Sequence, residues 1–415
     1  MTLVTSSFLG FCHVVLSIEK ETKLVRKTLS KIAIIAAAFS LIAAPAHAVN
    51  LVGGGATFAN PILDACKAEY ARFSGDSYVY NSLGSGAGRA GIDKGDFDFG
   101  WSDTPHLAAT APAGMIHLPV VAAPVAILYN VPGIKGQLHL SPTTLAKIFA
   151  REITKWNDPA IRADNQRNVK SAVFETERVK TTVGGVSTTT TITKKDAKGN
   201  PIVKRYSQQR LNVRLPNQDI VVIYRADSSG TSGILTNFLR AAVPSVWTKN
   251  GNNAFDASFP GNINAPANIG KIQSARGSEL VSALAAKTPG SITYAEKDYA
   301  TKNKLGFAKL YNNADVAIDP GAAGTSAFLG SATFNESNGT IVLDYKTTNP
   351  AAYLLGSTSY ALVLTNYKEK DKAAAVKKLM TFILDECAKR FPETEFAVID
   401  GALYDFNKKL IARIG

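Results

Sequence analysis

The chain has 415 residues, of which 46% are hydrophobic and 19% are charged, and its 46 basic and 33 acidic residues give a net charge of +13. The length fits two or three domains, and this composition excludes a globally disordered chain. The 32 glycines follow no triplet period and there are only three cysteines, which excludes collagen-like and disulfide-scaffold proteins.

The first 48 residues have the three parts of a secretory signal peptide. Four basic residues between positions 23 and 31 precede an apolar run, 32–44, and the segment ends in the Ala-His-Ala sequence of 46–48. The apolar run is shorter than the ~20 residues that a membrane-spanning helix needs. We therefore predict cleavage after Ala48 and a soluble mature protein that is periplasmic or secreted further.

Two cysteines, Cys66 and Cys387, remain after this cleavage. An exported protein enters a compartment that permits disulfides. Their separation along the chain does not show whether their Cα atoms approach within the ~7 Å that a disulfide requires. A disulfide and two buried free thiols are therefore both open.

Strand-like and helix-like segments alternate along the mature chain. We expect strands at 51–52, 78–83, 97–103, 117–129 and 220–224, and helices from Asn60, after the glycine-rich turn 84–88, near 142–149 and after Ser232. Alternation of this kind predicts α/β lobes with mostly parallel sheets.

The segment 175–210 departs from that alternation. It is rich in Thr and Lys, has Gly184-Gly185 as a turn and predicts an inserted β-ribbon. Its eight basic and three acidic residues carry half of the excess charge of the mature chain. A solvated hairpin explains this charge, and a surface that binds a specific partner is the alternative.

Three glycine-rich turns at strand-to-helix junctions each carry hydroxyl side chains. These side chains belong to Thr57, to Ser85, and to Ser228, Ser229, Thr231 and Ser232 around Gly230. Backbone N–H groups at a helix start attract anions, and glycine lets the backbone approach a ligand closely. The three turns together predict an oxyanion site.

Three charged residues accompany these turns. Arg225 can present a fork of donors to an oxyanion while Asp227 orients it, although the pair is equally compatible with a surface salt bridge. Asp103 ends a strand, where it would repel a fully ionised ligand but accept a hydrogen bond from a protonated one. Phosphate retains a proton near neutral pH and sulfate does not, so Asp103 would select phosphate.

Several of these segments resemble the phosphate-binding protein of high-affinity phosphate ABC importers, a family of periplasmic binding proteins. The matching segments are 53–58, 84–86, 99–103, 225–232 and 290–294. The resemblance spans most of residues 50–365, and the Arg-x-Asp-x-Ser-Gly-Thr sequence of 225–231 is its most specific part. It implies a type II periplasmic binding protein fold, in which two α/β lobes joined by a two-strand hinge hold the ligand in a cleft.

The resemblance also implies which residues bind phosphate. They are Thr57, Phe58, Ser85, Asp103, Arg225, Asp227, Ser229, Gly230 and Thr231. Asp103 would accept the proton of the ligand, Arg225 would pair with the anion while Asp227 holds it, and 229–231 would close the site from the second lobe. No metal and no other cofactor is implied.

The lobes can be placed on the chain in the same way. After the signal peptide, 1–48, we expect lobe I to comprise 49–121 plus 355–415, and lobe II to comprise 122–354 with the β-ribbon near 175–210. Hinge closure would trap phosphate between the lobes. The protein would be a monomer that delivers phosphate to an ABC importer permease and touches the membrane complex only peripherally.

Other functions fit parts of the sequence. The pattern G-x-G-x-x-G at 86–91 is typical of dinucleotide enzymes, but no acidic residue follows in a ribose-binding context. A secreted phosphatase-like relative and a binding protein for another oxyanion such as sulfate remain alternatives, although the mature chain lacks H-E-x-x-H and G-x-S-x-G motifs. No basic run alternates with aromatic residues, so we expect no nucleic-acid partner. We predict a binding protein and not an enzyme.

Overall fold

The structure is a computed structural model and describes residues 48–415, except 184–185 and 197–198. The predicted signal peptide up to residue 47 lies outside the described residues. No helix in the described part of the chain is both long enough and apolar enough to cross a bilayer.

The described residues form a mixed α/β fold. The strands are β1 Asn50–Gly55, β2 Ser77–Ser82, β3 Phe99–Ser102, β4 Met115–Asn130, β5 His139–Leu140, β6 Asn168–Phe174, β7 Thr176–Val183, β8 Val186–Thr193, β9 Val203–Arg210, β10 Val221–Arg225, β11 Ile272–Ala275, β12 Ser291–Glu296, β13 Gly306–Phe307, β14 Lys309–Tyr311, β15 Val316–Ile318, β16 Thr333–Phe334, β17 Ile341–Val342 and β18 Gly356–Leu364. The α-helices are α1 Asn60–Ser74, α2 Ser85–Lys94, α3 Pro142–Phe149, α4 Pro159–Asn165, α5 Gly230–Ala242, α6 Phe255–Ser258, α7 Gly277–Lys287, α8 Asp298–Asn303, α9 Ala322–Leu329, α10 Lys370–Phe382, α11 Ala388–Arg390 and α12 Gly401–Ala412. Short 3-10 turns cover Thr57–Ala59, Pro266–Asn268 and Pro392–Thr394, and a π-helical segment covers Ile383–Cys387.

Local sequence explains several helix ends. The predicted helix at 142–149 is confirmed. It starts there because Ser141 Oγ accepts a hydrogen bond from the Thr144 N–H (3.2 Å) and Pro142 occupies the first helical position. Helix α1 starts at Asn60 as predicted, with a proline in its first turn, and it ends before Gly75, which has φ +75°.

The long strand β4 lies in the middle of a nine-stranded sheet. The strand order is β11-β10-β12-β4-β18-β3-β1-β2, and β13 pairs with residues 128–129 of β4 on the side opposite β12. The part of β4 up to Pro124 pairs with β18, and the part from Val125 onward pairs with β12. Residues 116–129 of β4 are all buried, which agrees with the apolar run seen in the sequence.

The expectation of mostly parallel sheets is wrong for the middle of this sheet. The strands β1, β2 and β3 are parallel, as are β10, β11 and β12. Strand β4 is antiparallel to both β12 and β18, and β18 is antiparallel to β3. The sheet is mixed because β18 brings the chain back alongside β4 in the opposite direction.

A five-stranded sheet, in the order β5-β14-β15-β6-β9, carries the segment 175–210. Strands β6 and β9 pair antiparallel within that sheet. Strands β7 and β8, which lie between β6 and β9 along the chain, form a separate antiparallel hairpin. It runs from the pair Thr176 and Thr193 to the pair Val183 and Val186. The hairpin is therefore an excursion between two paired strands.

Cys66 and Cys387 form a disulfide whose Cα atoms are 5.7 Å apart. Both residues are buried, and the bond joins α1 to the π-helical segment at 383–387. Since 321 residues separate the two cysteines, the disulfide links the beginning and the end of the described chain. Of the two possibilities that the sequence left open, the structure thus has the disulfide and not two free thiols.

Candidate functional site

The nine predicted binding residues lie in one buried region where β1, β2, β3 and β10 end. They are Thr57, Phe58, Ser85, Asp103, Arg225, Asp227, Ser229, Gly230 and Thr231, and every one of them is buried. Strands β1, β2 and β3 are parallel to one another, and the carboxyl ends of parallel strands commonly place a ligand site.

The carboxylate of Asp103, directly after β3, accepts hydrogen bonds from three hydroxyl groups. Ser359 Oγ donates to Oδ1 at 2.5 Å, and Ser85 Oγ and Thr231 Oγ1 donate to Oδ2 at 3.3 and 3.5 Å. Burial raises the pKa of Asp103 to about 6, although these hydroxyls and Arg225 act in the opposite direction. Burial therefore outweighs the hydrogen bonds that stabilise the ionised carboxylate.

Ser359 is a member of this cluster that the sequence analysis missed. It lies on β18, and 256 residues separate it from Asp103. The antiparallel pairing of β18 with β3 brings the two side chains together. No local pattern in the sequence contains that pairing.

Ser85, in the second glycine-rich turn, connects the residue that follows β3 to the third turn. Its Oγ accepts hydrogen bonds from the backbone N–H of Asp103 (3.2 Å) and of Gly230 (3.1 Å). A Cβ atom at position 230 would lie 2.5 Å from Ser85 Oγ. The contact between these two chain segments thus requires glycine at position 230.

The N-terminus of α5 forms one side of the site. Ser229 caps this helix, since its Oγ accepts a hydrogen bond from the Ser232 N–H at 3.2 Å. The helix therefore begins at Gly230, whereas we expected it to begin after Ser232. The first turn includes Gly230, whose N–H donates to Ser85 Oγ, and Thr231, and the N-terminus of a helix favours an anion.

Arg225 and Asp227 form a buried bidentate ion pair. Arg225 Nε donates to Oδ1 at 2.7 Å and Nη2 donates to Oδ2 at 2.5 Å, while the Gly277 N–H donates to Oδ1 at 3.0 Å. Burial opposes both charges, but the pairing outweighs it and holds the pKa of Arg225 above and that of Asp227 below their ordinary values. The guanidinium is 1% exposed, so the pair is not a surface salt bridge.

Thr57 is connected to this pair through Ser278. The hydroxyl groups of Thr57 and Ser278 are 3.0 Å apart, and the Ser278 N–H donates to Thr57 Oγ1 at 3.3 Å. Arg225 Nη1 donates to Ser278 Oγ at 3.2 Å. The sequence analysis missed Ser278, although the Gly277-Ser278 junction after β11 repeats the pattern of the other three turns.

The first predicted turn differs in detail from our expectation. Gly53, Gly54 and Gly55 belong to β1 and pair with β2 and β3 on either side, so the turn starts only at Ala56. The ring of Phe58 packs edge-to-face against Phe396 at 6.0 Å between ring centres. The ring of Phe58 thus belongs to the hydrophobic core.

The edge of the site connects chain segments that we predicted to belong to different lobes. The Gly86 N–H donates to the Ser228 carbonyl oxygen at 2.9 Å. Arg89 Nη1 donates to Thr104 Oγ1 at 3.0 Å, and the side chains of Thr104 and Asn253 hydrogen-bond to each other at 3.0 Å. These bonds link the segment 84–104 to the segment 228–253.

The histidines in the described ranges are buried and have structural roles. Burial lowers the pKa values of His117 and His139 to about 4, and His117 Nε2 accepts a hydrogen bond from the His106 N–H at 2.8 Å. Within the described ranges, no group of three or more His, Cys, Asp or Glu side chains is placed to hold a metal ion.

The fold and the site define a protein of the periplasmic binding class. Residues 42–386 match the family model described as a PBP superfamily domain, and the chain belongs to that superfamily. A solved structure of a high-affinity periplasmic phosphate-binding protein bound with phosphate at pH 8.5 superposes with a TM-score of 0.60, at 20% identity over 88% of this chain and 93% of that chain. The predicted type II fold is confirmed.

Two relatives show to which family within this superfamily the chain belongs. The phosphate-binding protein PstS 3 of Mycobacterium leprae is 30% identical over 320 residues, which are 74% of this chain and 70% of that protein. The phosphate-binding protein PstS of Pasteurella multocida is 27% identical over 351 residues, 84% of this chain and 85% of that protein. The chain belongs to the PstS phosphate-binding protein family, and the family resemblance that we identified in the sequence is confirmed.

Proposed function

We propose that this protein binds inorganic phosphate between two lobes and delivers it to an ABC importer. The observation that carries the proposal is the buried carboxylate of Asp103 within a group of hydroxyl and N–H donors. Donors suit any oxyanion, but a strong acceptor among them suits an oxyanion that still carries a proton. Relatives across the chain are named phosphate-binding proteins.

The charges of the site favour the same ligand. Asp227 balances the charge of Arg225, so a bound anion is held by a neutralised ion pair and by uncharged donors. Ser85, Thr231 and the N-terminus of α5 supply such donors. Hydrogen bonds to a charged ligand contribute ~1.5–3 kcal/mol each, and a handful of them exceeds the ~8 kcal/mol of a micromolar site.

The two lobes are 49–121 plus 355–415, and 122–354. Their connections are β4, which changes its partner from β18 to β12 between Pro124 and Val125, and the chain that enters β18 at Gly356. Ligand contacts from both lobes stabilise the closed state relative to the open one, and this difference in affinity drives closure. The bonds between 84–104 and 228–253 form in the closed state.

The protein acts as a binding protein and not as an enzyme. It is exported by the signal peptide, 1–48, and works as a periplasmic monomer that meets the membrane complex only at the importer permease. Support for this role comes from the names of its relatives, which denote binding proteins.

Calorimetric titration of the mature protein with phosphate and with sulfate, each at two pH values, tests the proposal. We expect one phosphate per chain and no heat of binding with sulfate. Tight sulfate binding without a response to phosphate would overturn the ligand and the role of Asp103. Metal-dependent phosphomonoester hydrolysis well above that of a Thr231→Ala variant would overturn the assignment as a binding protein.

A further inference from the structure

Glu296, the last residue of β12, is an ionisable side chain beside the site that the proposed binding mode does not use. It is 1% exposed. The Ser278 side chain lies beside the carboxyl group and lowers its pKa. Neither carboxyl oxygen, however, has a hydrogen bond of ordinary geometry from any described residue. An isolated carboxylate is costly to bury in this way, whereas the neutral acid is far less so.

The groups around Glu296 provide little compensation for a negative charge. Arg225 acts on Glu296 as a cation, but its guanidinium is bound bidentately by Asp227. Asp103 is a second buried acid and repels an ionised Glu296. Burial, reinforced by Asp103, raises the pKa of Glu296 to about 8 against the weaker effects of its own backbone N–H, Ser278 and Arg225.

Three other described residues near Glu296 supply it with neither a cation nor a donor. Tyr299 on α8 is close enough for the charge of Glu296 to act on it, but the Tyr299 hydroxyl donates its hydrogen bond to Glu279 Oε1 at 2.8 Å. The next residue, Lys297, pairs with Glu395 at 2.9 Å. Strand β4 places the apolar Val125 opposite Glu296 in the sheet.

A chain of hydroxyl groups leads from Glu296 to the predicted ligand contact at Thr57. Ser278 lies beside Glu296, and its hydroxyl is 3.0 Å from that of Thr57. A protonated Glu296 can donate to Ser278, which then donates to Thr57 and leaves the Thr57 proton for the ligand. An ionised Glu296 would instead accept a hydrogen bond from the Ser278 hydroxyl, and the Thr57 hydroxyl would then donate to Ser278 Oγ and not to the ligand.

We infer, on the basis of the proposed phosphate function, that Glu296 is a positioning residue that must carry a proton for phosphate to bind tightly. The proton orients the hydroxyl groups of Ser278 and Thr57 toward the ligand. It also removes a negative charge that would repel the anion. When the pH is high enough to ionise Glu296 in the free protein, binding takes one proton from solvent to form the carboxyl O–H bond.

The test compares the wild type with Glu296→Gln, which is neutral at every pH and keeps nearly the same shape. Phosphate titrations in buffers of different ionisation enthalpy count the protons taken up. At about pH 9 the wild type should take up close to one proton more per phosphate than the variant, and at about pH 7 the two should not differ. Above about pH 8 the wild-type Kd should weaken by up to ~10-fold per pH unit relative to that of the variant.

A matched control is Glu336→Gln, since the Glu336 side chain is 75% exposed; this variant should take up protons as the wild type does. If Glu296→Gln does not fold, Glu296→Met, which is similar in length and uncharged, replaces it. Equal proton counts and parallel pH profiles for the wild type and the Glu296 variant would overturn the inference while leaving phosphate binding intact. A wild type that fails to bind phosphate at any pH would instead overturn the proposed function.

Discussion

Replacing Asp103 by Asn tests the feature of the site that distinguishes phosphate from other oxyanions. The amide keeps the shape of the carboxyl group but loses its charge and presents an NH₂ group to the ligand. Phosphate should lose one charge-assisted hydrogen bond of ~1.5–3 kcal/mol, which corresponds to a Kd weaker by about 10- to 150-fold. Sulfate should gain measurable affinity, because the repelling carboxylate is gone.

The same substitution should change how the stability of the ligand-free protein depends on pH. The pKa of Asp103 is raised to about 6 from an ordinary value of 3.8, so folding favours its protonated form. This contribution is complete below about pH 4 and is lost as the pH rises through about 6. A shift of this size corresponds to about 3 kcal/mol. The stability of Asp103→Asn should therefore lack this pH-dependent contribution.

Calorimetry with phosphate and sulfate measures the two affinities, and chemical denaturation between pH 4 and pH 7.5 measures the stability difference. Asp405→Asn is the control, since Asp405 is exposed on α12, and it should behave as the wild type in both assays. If Asp103→Asn kept wild-type affinity for phosphate and still rejected sulfate, the role assigned to this carboxylate would be refuted.

Three further predictions concern the rest of the described chain. Arg225→Gln should abolish measurable phosphate binding and cost about 3–5 kcal/mol of stability, because it leaves the buried carboxylate of Asp227 without its cation. Arg240→Gln, at the far end of α5, should do neither in the same calorimetric and unfolding assays. Replacing both Cys66 and Cys387 by Ser should lower the unfolding free energy by roughly 6 kcal/mol in the chain-entropy description of so long a loop, and phosphate affinity should not change. Thermal unfolding with and without reductant measures the first effect and calorimetry the second. Deleting the hairpin residues 176–193 should leave the phosphate Kd unchanged, because the backbones that flank the hairpin already hydrogen-bond at 2.8 Å; a lost phosphate response in a folded deletion variant would show that the hairpin contributes to the site.

Local signals in the sequence predicted many of the elements correctly. The helix at 142–149 has a serine cap and a proline in its first turn, and the apolar run of β4 is long and uninterrupted. The antiparallel centre of the main sheet could not be predicted in this way. The direction in which β18 pairs with β4 depends on a return of the chain from more than 200 residues away, and no local pattern encodes it.

The residues of the site also differ in whether a local pattern in the sequence could predict them. The nine predicted residues come from short motifs that combine glycine, hydroxyl and charged residues, and the structure places them together. Ser359 and Glu296 come from strands whose sequences resemble ordinary sheet segments. A glutamate at the end of a strand is usually solvated, and only the packing of β12 against β4 and α7 shows that Glu296 is buried.

The central claim is that phosphate binds in the cluster around Asp103 and Arg225. A crystal structure of the mature protein grown with phosphate tests it most directly. We expect one phosphate within hydrogen-bond distance of Asp103, Ser85 and Thr231, at the N-terminus of α5. A phosphate bound elsewhere, or this cluster unchanged at saturating phosphate, would contradict the claim.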